Sequence, residues 1–357
     1  MRNFQSKIII SLVVFLVFIN SCSNVDEKIE VTQLNVMQLP EPSEVFKITE
    51  DARFYHSFIV DSLLVLTATT RGDNVIYVYN KKDIQLIKQF GTRGLGPFDL
   101  LNVIPLTSIQ RSNNLYYYDS QIWQLKTINL EKILLGESIA DCISSSPLND
   151  KLIESQPLII LDDSRFTGVP PSGKKAWFYI YDSKMDEMKW IKGHPFVTKN
   201  TVLNKGTLNA NVQKKSIVHA MSYFDKVNFY DLDGKLKKQH IFSPLKMPSL
   251  NADNSLIIGE SLFYASSICA SSDYCFVFRH GRAIRVGRAS DVYSHIQLLV
   301  FNWDGLLLNT FEIPIREAKC CFDDELGYLY TFQDSEEVYD IYITVRKYDL
   351  SEFLKGD

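Results

Sequence analysis

The sequence predicts an all-β protein, a single six-bladed β-propeller of antiparallel blades, and three observations lead there. Short apolar runs recur from about residue 45 to the end of the chain, joined in pairs by turns of Asp, Gly, Asn and Lys. Aromatic residues crowd those runs, as in Tyr116-Tyr117-Tyr118 and Phe178-Tyr179-Ile180-Tyr181, the composition of strands rather than helices. The hairpins return at intervals of roughly 40 to 60 residues. A unit that small cannot bury its own faces and must pack against its neighbours in a ring.

The chain opens on Arg2 and Lys7, an apolar run from Ile8 to Ile19, then Asn20, Ser21 and Cys22. A basic start and a short apolar segment describe an export signal over residues 1–21, too short to cross a ~30 Å hydrocarbon core. Ile19-Asn20-Ser21-Cys22 resembles a bacterial lipobox, with Asn20 where the motif usually has a small residue. The resemblance implies that Cys22 becomes the lipid-bearing first residue of the mature chain, with the membrane as its partner. Residues 22–44 then read as the lipidated N-terminus, a linker and a ring-closing strand, for which Val31 to Leu39 is the candidate. The polar stretch Ser23 to Lys28 suits a tether, and its Asp26-Glu27 pair resembles the surface-export signal of Bacteroidetes lipoproteins. The implied location is the outer membrane, facing the periplasm or the cell surface.

Residues 45–357 form the predicted propeller. Three hairpins align: Val75 to Asn80 turns at Lys81-Lys82-Asp83 and returns as Ile84 to Phe90. Val227 to Tyr230 turns at Asp231-Leu232-Asp233-Gly234 and returns to Phe242. Gln297 to Asn302 turns at Trp303-Asp304-Gly305 and returns to Phe311. Asp-Gly between apolar runs is a strong hairpin signal because both residues tolerate the positive φ of a tight turn. Trp177 to Trp190, Leu326 to Phe332 and Tyr339 to Tyr348 add less regular strands, and only Leu130 to Ile139 and Ala210 to Ser216 read as short helices. A β-sandwich would occupy a shorter stretch with fewer hairpins.

Phe90-Gly91-Thr92-Arg93-Gly94-Leu95-Gly96-Pro97-Phe98 resembles the linker after the first full blade of six-bladed, TolB-like and NHL-like propeller lipoproteins of Bacteroidetes. Here Phe98-Asp99 replaces the usual Gly-Glu-Phe after the proline. Val300-Phe301-Asn302-Trp303-Asp304-Gly305 is similar to a late-blade hairpin of the same family. Both motifs are structural turns, so the resemblance implies a fold and an envelope location and no reaction.

Composition narrows the function. Without residues 1–21 the chain carries 36 Lys and Arg against 42 Asp and Glu, a formal charge of -6. That balance lacks the basic surface that nucleic-acid binding requires. Five cysteines follow Cys22, at 142, 269, 275, 320 and 321. They read as buried thiols, with a Cys269–Cys275 hairpin bridge as the alternative, and they lack the paired spacings of a structural zinc site.

The chain contains neither Gly-x-Ser-x-Gly nor His-Glu-x-x-His, the signatures of a nucleophile elbow and a zincin. The glycines at 91, 94 and 96 are not in dinucleotide-binding order, and no glutamate follows Asp231 where a calcium loop needs one. No catalytic residue, metal or cofactor is therefore assigned. The most unusual charge feature is Arg279, His280, Arg282, Arg285 and Arg288, a cationic array suited to carboxylate, sulfate or phosphate, with a solvated basic loop as the alternative. The expected function is a binding or scaffolding module of the cell envelope for a glycan, peptide or protein partner. The alternatives are a propeller hydrolase or lyase with a central-channel active site, and a purely structural subunit of an envelope complex.

Overall fold

In the computed structural model the described residues are 31–50, 52–70, 72–106, 114–170, 176–192, 203, 205–253, 255–257, 260–283, 295–314, 319–334 and 342–354. Cys22 lies outside them, as do Arg285 and Arg288. The folded unit spans Thr32–Asp357.

Two N-terminal strands come first, β1 (Val36–Gln38) and β2 (Glu44–Ile48). Blade 1 follows as β3 (Arg53–Val60), β4 (Leu63–Thr70), β5 (Asn74–Asn80) and β6 (Leu86–Thr92). Blade 2 is β7 (Val103–Pro105), β8 (Asn114–Asp119), β9 (Gln124–Asn129) and β10 (Ile143–Pro147). Helices α1 (Leu130–Leu134) and α2 (Ile139–Cys142) lie between its last two strands. Blade 3 is β11 (Leu158–Ile160), β12 (Arg165–Gly168), β13 (Phe178–Asp182) and β14 (Glu187–Ile191). Blade 4 is β15 (Gly206–Asn211), β16 (Ser216–Met221), β17 (Lys226–Tyr230) and β18 (Leu236–Ile241). Blade 5 is β19 (Leu262–Ala270), β20 (Tyr274–Ala283), β21 (His295–Asn302) and β22 (Leu307–Pro314). Blade 6 is β23 (Cys320–Asp323), β24 (Tyr328–Asp334) and β25 (Ile343–Asp349), followed by α3 (Ser351–Leu354). Six antiparallel blades thus form the propeller that the sequence predicts.

Blade 6 takes its fourth strand from the other end of the chain: β2 pairs antiparallel with β25, Glu44 opposite Lys347 and Ile48 opposite Ile343. Ring closure therefore falls one element later than Val31 to Leu39. Within that earlier segment, β1 adds a fifth strand to blade 5, parallel to β22. Upstream of it, the Thr32 amide donates to Ile241 O of blade 4 at 2.7 Å. Residues 32–48 are a strap that runs past blades 4, 5 and 6 before entering the ring at blade 1. Leu34, Met37 with Leu39, and Phe46 each pack on a different interface along the way. The strap covers two sheet edges that would otherwise offer unpaired backbone groups.

The core is divided. Six apolar clusters are found among the described residues, each between consecutive blades. Blades 1 and 2 share Phe58 and Tyr117, and blades 3 and 4 share Trp177, Phe178 and Tyr230. Blades 4 and 5 share Phe229, Phe301 and Trp303. Full burial of such a ring removes 150–250 Å² from water, roughly 4–6 kcal/mol of transfer free energy as an upper bound. Because every blade has a neighbour on both sides, its middle strands bury both faces: β5 and β13 are buried at nearly every position. That is why they read as continuous aromatic runs, whereas the outermost β6, β14 and β18 are largely exposed.

A polar tie accompanies each junction. Thr67 bonds Tyr117 at 3.0 Å between blades 1 and 2, and Lys151, in the segment leading from blade 2, meets Asp186 of blade 3 at 2.7 Å. Arg165 reaches Asp233 at 3.2 Å, and Arg279 pairs with Asp225 at 2.6 Å. Ser271 donates to Asp324 at 2.6 Å, and Lys81 meets Asp323 at 2.8 Å.

The three aligned hairpins share a defect as well as a pattern. The register slips at Val78/Tyr79, Phe229/Tyr230 and Val300/Phe301, one step before the turn in each. In the last two turns, Gly234 and Gly305 have φ of +77° and +79°, a region open to glycine at little cost. A side chain on Gly305 would also strike Phe229 at 2.8 Å. Ala210 to Ser216 is not helical: it holds the end of β15, the turn and the start of β16, and Asn211 Oδ1 accepts from the amides of Gln213 and Lys214 at 3.1 Å each.

Candidate ligand-binding site

The first strand of each blade, β3, β7, β11, β15, β19 and β23, lines the ring axis. There they enclose a cavity of about 290 Å³. Tyr55 to Phe58 contribute from blade 1, Ile104 and Pro105 from blade 2, and Pro157 and Ile159 from blade 3. Thr207 to Asn209, Ser267 to Cys269 with Phe278, and Lys319 with Cys320 complete the wall from blades 4, 5 and 6. Among these described lining residues there is no carboxylate. Burial, reinforced by nearby Lys319, lowers the His56 pKa to about 4, so the imidazole is neutral at pH 7 and offers both a donor and an acceptor. The Lys319 ammonium donates to Phe54 O at 3.0 Å and to Asp334 Oδ2 at 3.3 Å, and lies 4.9 Å from the Tyr55 ring. The cavity therefore combines apolar walls with hydroxyl, amide and imidazole groups and one cation, a lining chemically able to orient a small polar molecule.

A second cavity, about 570 Å³, lies toward the turns at the ends of the inner strands and holds Asp61, Asp273, Asp323, Asp324 and Glu325 with Lys81 and Lys214. Most of its carboxylates are engaged. Asp323 and Glu325 hold the Lys81 ammonium at 2.8 and 3.1 Å, and Asp273 meets Lys214 at 2.9 Å. Asp324 caps the β19–β20 turn, accepting from Ser271 Oγ and Ser272 N, each at 2.6 Å.

Of the basic array, Arg279, His280 and Arg282 lie among the described residues. Arg279 and His280 lie on β20, which continues through Arg282 to Ala283. The Arg279 guanidinium makes a two-pronged contact with Asp225 of blade 4, at 2.7 and 2.6 Å, also donates to Gln297 Oε1 and stacks on Phe242. It is an inter-blade clamp. The His280 ring packs 5.5 Å from Phe263. Arg282 pairs by backbone register with Phe263.

The glycine-rich loop after β6 is a turn. Gly91 has φ +83° and lies against Leu100, and the Asp99 carboxylate accepts from the Gly96 amide at 2.9 Å. The amide a phosphate would need is thus already bonded. Asp231 Oδ1 likewise accepts from Asp233 N and Lys235 N, at 3.0 and 2.8 Å, so its carboxylate shapes a hairpin.

The described histidines disperse. His56 alone lines the channel cavity. His219 is buried between blades 3 and 4, stacked 5.8 Å from Trp177, and His240 bonds Gly305 O at 2.7 Å between blades 4 and 5. Neither His219 ring nitrogen, nor either polar atom of its cross-strand partner Asn228, meets a hydrogen-bond partner among the described residues. The missed site residues were His56, Thr207, Asn209, Cys269, Lys319 and Cys320. Their only signal is position: each lies in or beside the first strand of its blade, visible once blade boundaries are aligned.

No family model matches the chain, and no curated protein sequence matches it. Among solved structures, a member of the DUF4221 family from Bacteroides vulgatus ATCC 8482 is similar with a TM-score of 0.59 at 14% identity, over 88% of this chain and 98% of that one. A protein of Bacteroides fragilis NCTC 9343 assigned as exported is similar with a TM-score of 0.52 at 11% identity, over 89% and 93% of the two chains. At these identities the likeness is one of fold.

Two predictions follow from the buried polar groups. Arg279→Ala should leave the Asp225 carboxylate buried without its partner and lower unfolding free energy in urea by about 3 kcal/mol, whereas removing a solvated arginine would change it by under about 0.5 kcal/mol. Acid should also destabilise the protein. His219, with a pKa lowered to about 3 by burial and then by Lys226, and His56, at about 4, bind protons more readily unfolded than folded. Their contribution is full above pH ~6.5 and is lost as pH falls toward those values, at up to about 1.4 kcal/mol per pH unit for each. Melting temperature recorded from pH 7 to 4.5 should fall, and His219→Gln should flatten the slope.

Proposed function

We propose that the protein is an envelope-tethered binding propeller that holds a small polar ligand, a glycan unit or peptide segment, in the cavity on its axis. The observation that carries this reading is the lining: all six inner strands supply it, with hydrogen-bonding groups on apolar walls and no carboxylate among the described residues. A glycosidase needs two carboxyl groups flanking the bond it breaks. Here the wall offers one neutral imidazole and one ammonium, and most carboxylates of the second cavity are held in ion pairs or a turn cap. The purely structural reading would draw on a continuous apolar patch. Of the exposed apolar residues, Val45, Leu86, Trp190, Leu236 and Leu306 belong to five different blades, while Leu134, Leu135 and Ile139 neighbour one another around α1 and α2 of blade 2.

The tether is residues 22–31. Cys22 would carry the lipid, and nine residues lie between it and Thr32, a reach of about 35 Å when extended. Several acyl chains would be needed for stable attachment, since one binds only marginally. An exported Bacteroides protein of the same fold supports reading residues 1–21 as an export signal. Kinship with TolB-like and NHL-like propeller lipoproteins rests on the motifs from Phe90 to Phe98 and from Val300 to Gly305.

A ligand at 100 times its dissociation constant should stabilise the protein by ~2.7 kcal/mol. Thermal denaturation across a panel of glycans and peptides should therefore reveal an upward shift, which His56→Ala and Thr207→Ala should reduce. A shift that survives both substitutions would place the ligand elsewhere, and no shift with any compound would favour a protein-partner scaffold. Separately, Cys22→Ala should move the protein from the membrane to the soluble fraction; retention in membranes would remove the lipid anchor from the account.

A further inference from the structure

Four of the five downstream cysteines gather around blades 5 and 6, and strand geometry sorts them. In β19 and β20, Cys269 stands opposite Phe276 while Cys275 stands opposite Ala270. Neighbouring positions on a strand point to opposite faces. Cys269 accordingly packs in the interface with blade 6, and Cys275 in the interface with blade 4. The hairpin bridge between them is excluded by this geometry. Cys320 and Cys321 diverge in the same way: Cys320 packs toward blade 5 and Cys321 toward blade 1. One cross-blade pair remains, Cys269 and Cys320, in the same apolar cluster and on the same stretch of cavity wall. Their thiols are in hydrogen-bonding contact.

We propose that Cys269 and Cys320 form a dithiol site in the channel wall that a disulfide oxidant closes into a cross-link between blades 5 and 6. A thiolate of the pair attacks the oxidant, forming a mixed disulfide and releasing one thiol. The second cysteine, losing its proton, attacks that mixed disulfide, forms the Cys269–Cys320 bond and releases the second thiol. The protein gives up two electrons and two protons, and the oxidant is reduced to two thiols.

Access favours this pair. Cys269 and Cys320 retain 9% and 7% of their surface, whereas the other three, Cys142, Cys275 and Cys321, are more deeply enclosed, with Cys275 at 0%. Burial and then contact with Cys269 raise the Cys320 pKa, so thiolate is scarce at neutral pH and closure should be slow. That suits a lasting structural bond rather than rapid exchange. Closure would also replace two thiol donors in the ligand cavity with an apolar disulfide.

The test uses the full chain, native and reduced, incubated with oxidised glutathione, blocked with N-ethylmaleimide and mapped by mass spectrometry after digestion. The expected result is one peptide pair joining Cys269 to Cys320, about 2 Da lighter than the two reduced peptides together and separated by dithiothreitol. Cys275→Ala should leave it intact, and Cys269→Ala should abolish it. Fully alkylated thiols after prolonged incubation, or a link joining any other two cysteines, would overturn the proposal, and both outcomes are readable on the unsubstituted protein.

Discussion

The pairing of β2 with β25 is the constraint on which the rest of the molecule depends. Each blade is a sheet of four strands, five in blade 5, with both faces apolar and stable only when sandwiched. Five junctions follow from chain connectivity, but the junction between blades 6 and 1 forms only if the two ends of the propeller meet. Glu44–Ile48 does this by completing blade 6 and leading directly into blade 1. The apolar cluster between those blades, built on Tyr77, Tyr79 and Tyr330, and the Lys81–Asp323 ion pair then fall into place.

The division of the core into six interfaces has consequences for the axis. Side chains of the inner strands are drawn sideways into the junctions, so the axis is lined by the few inner-strand groups that project between blades. A cavity results because ring size, rather than side-chain packing, sets the central space. Its chemistry is correspondingly mixed: Ile104 and Ile159 beside His56, Thr207 and Lys319. The same sideways projection brings Cys269 and Cys320 together from adjacent blades, although fifty-one positions separate them in the chain. It also turns Arg279 from a candidate ligand contact into a clamp on Asp225.

Much of the fold was legible in the sequence because hairpin turns are local. Asp231 to Gly234 and Asn302 to Gly305 declare their positions through residues that tolerate positive φ, and the repeated bulge before each turn confirms that these are equivalent units. The turn within Ala210 to Ser216 was less readable, since Asn211 shapes it through side-chain hydrogen bonds that alanine and lysine neighbours mask. Ring closure was legible as a need but not in register: Val31 to Leu39 and Glu44 to Ile48 are both short and apolar enough to pair, and only the three-dimensional ring decides which edge each meets. The candidate site was the least legible part. Its residues come from six separate strands, none carries a motif, and their convergence depends on a closure that no local pattern encodes.

The most direct test of the account is native-state hydrogen exchange read by mass spectrometry on the intact chain. A closed ring predicts that peptides containing Glu44–Ile48 are protected as strongly as those containing Ile343–Asp349, and exchange together with them. Rapid exchange of 44–48 beside a protected 343–349 would mean that the ring stands open, and with it would go the preformed cavity on which the functional reading rests.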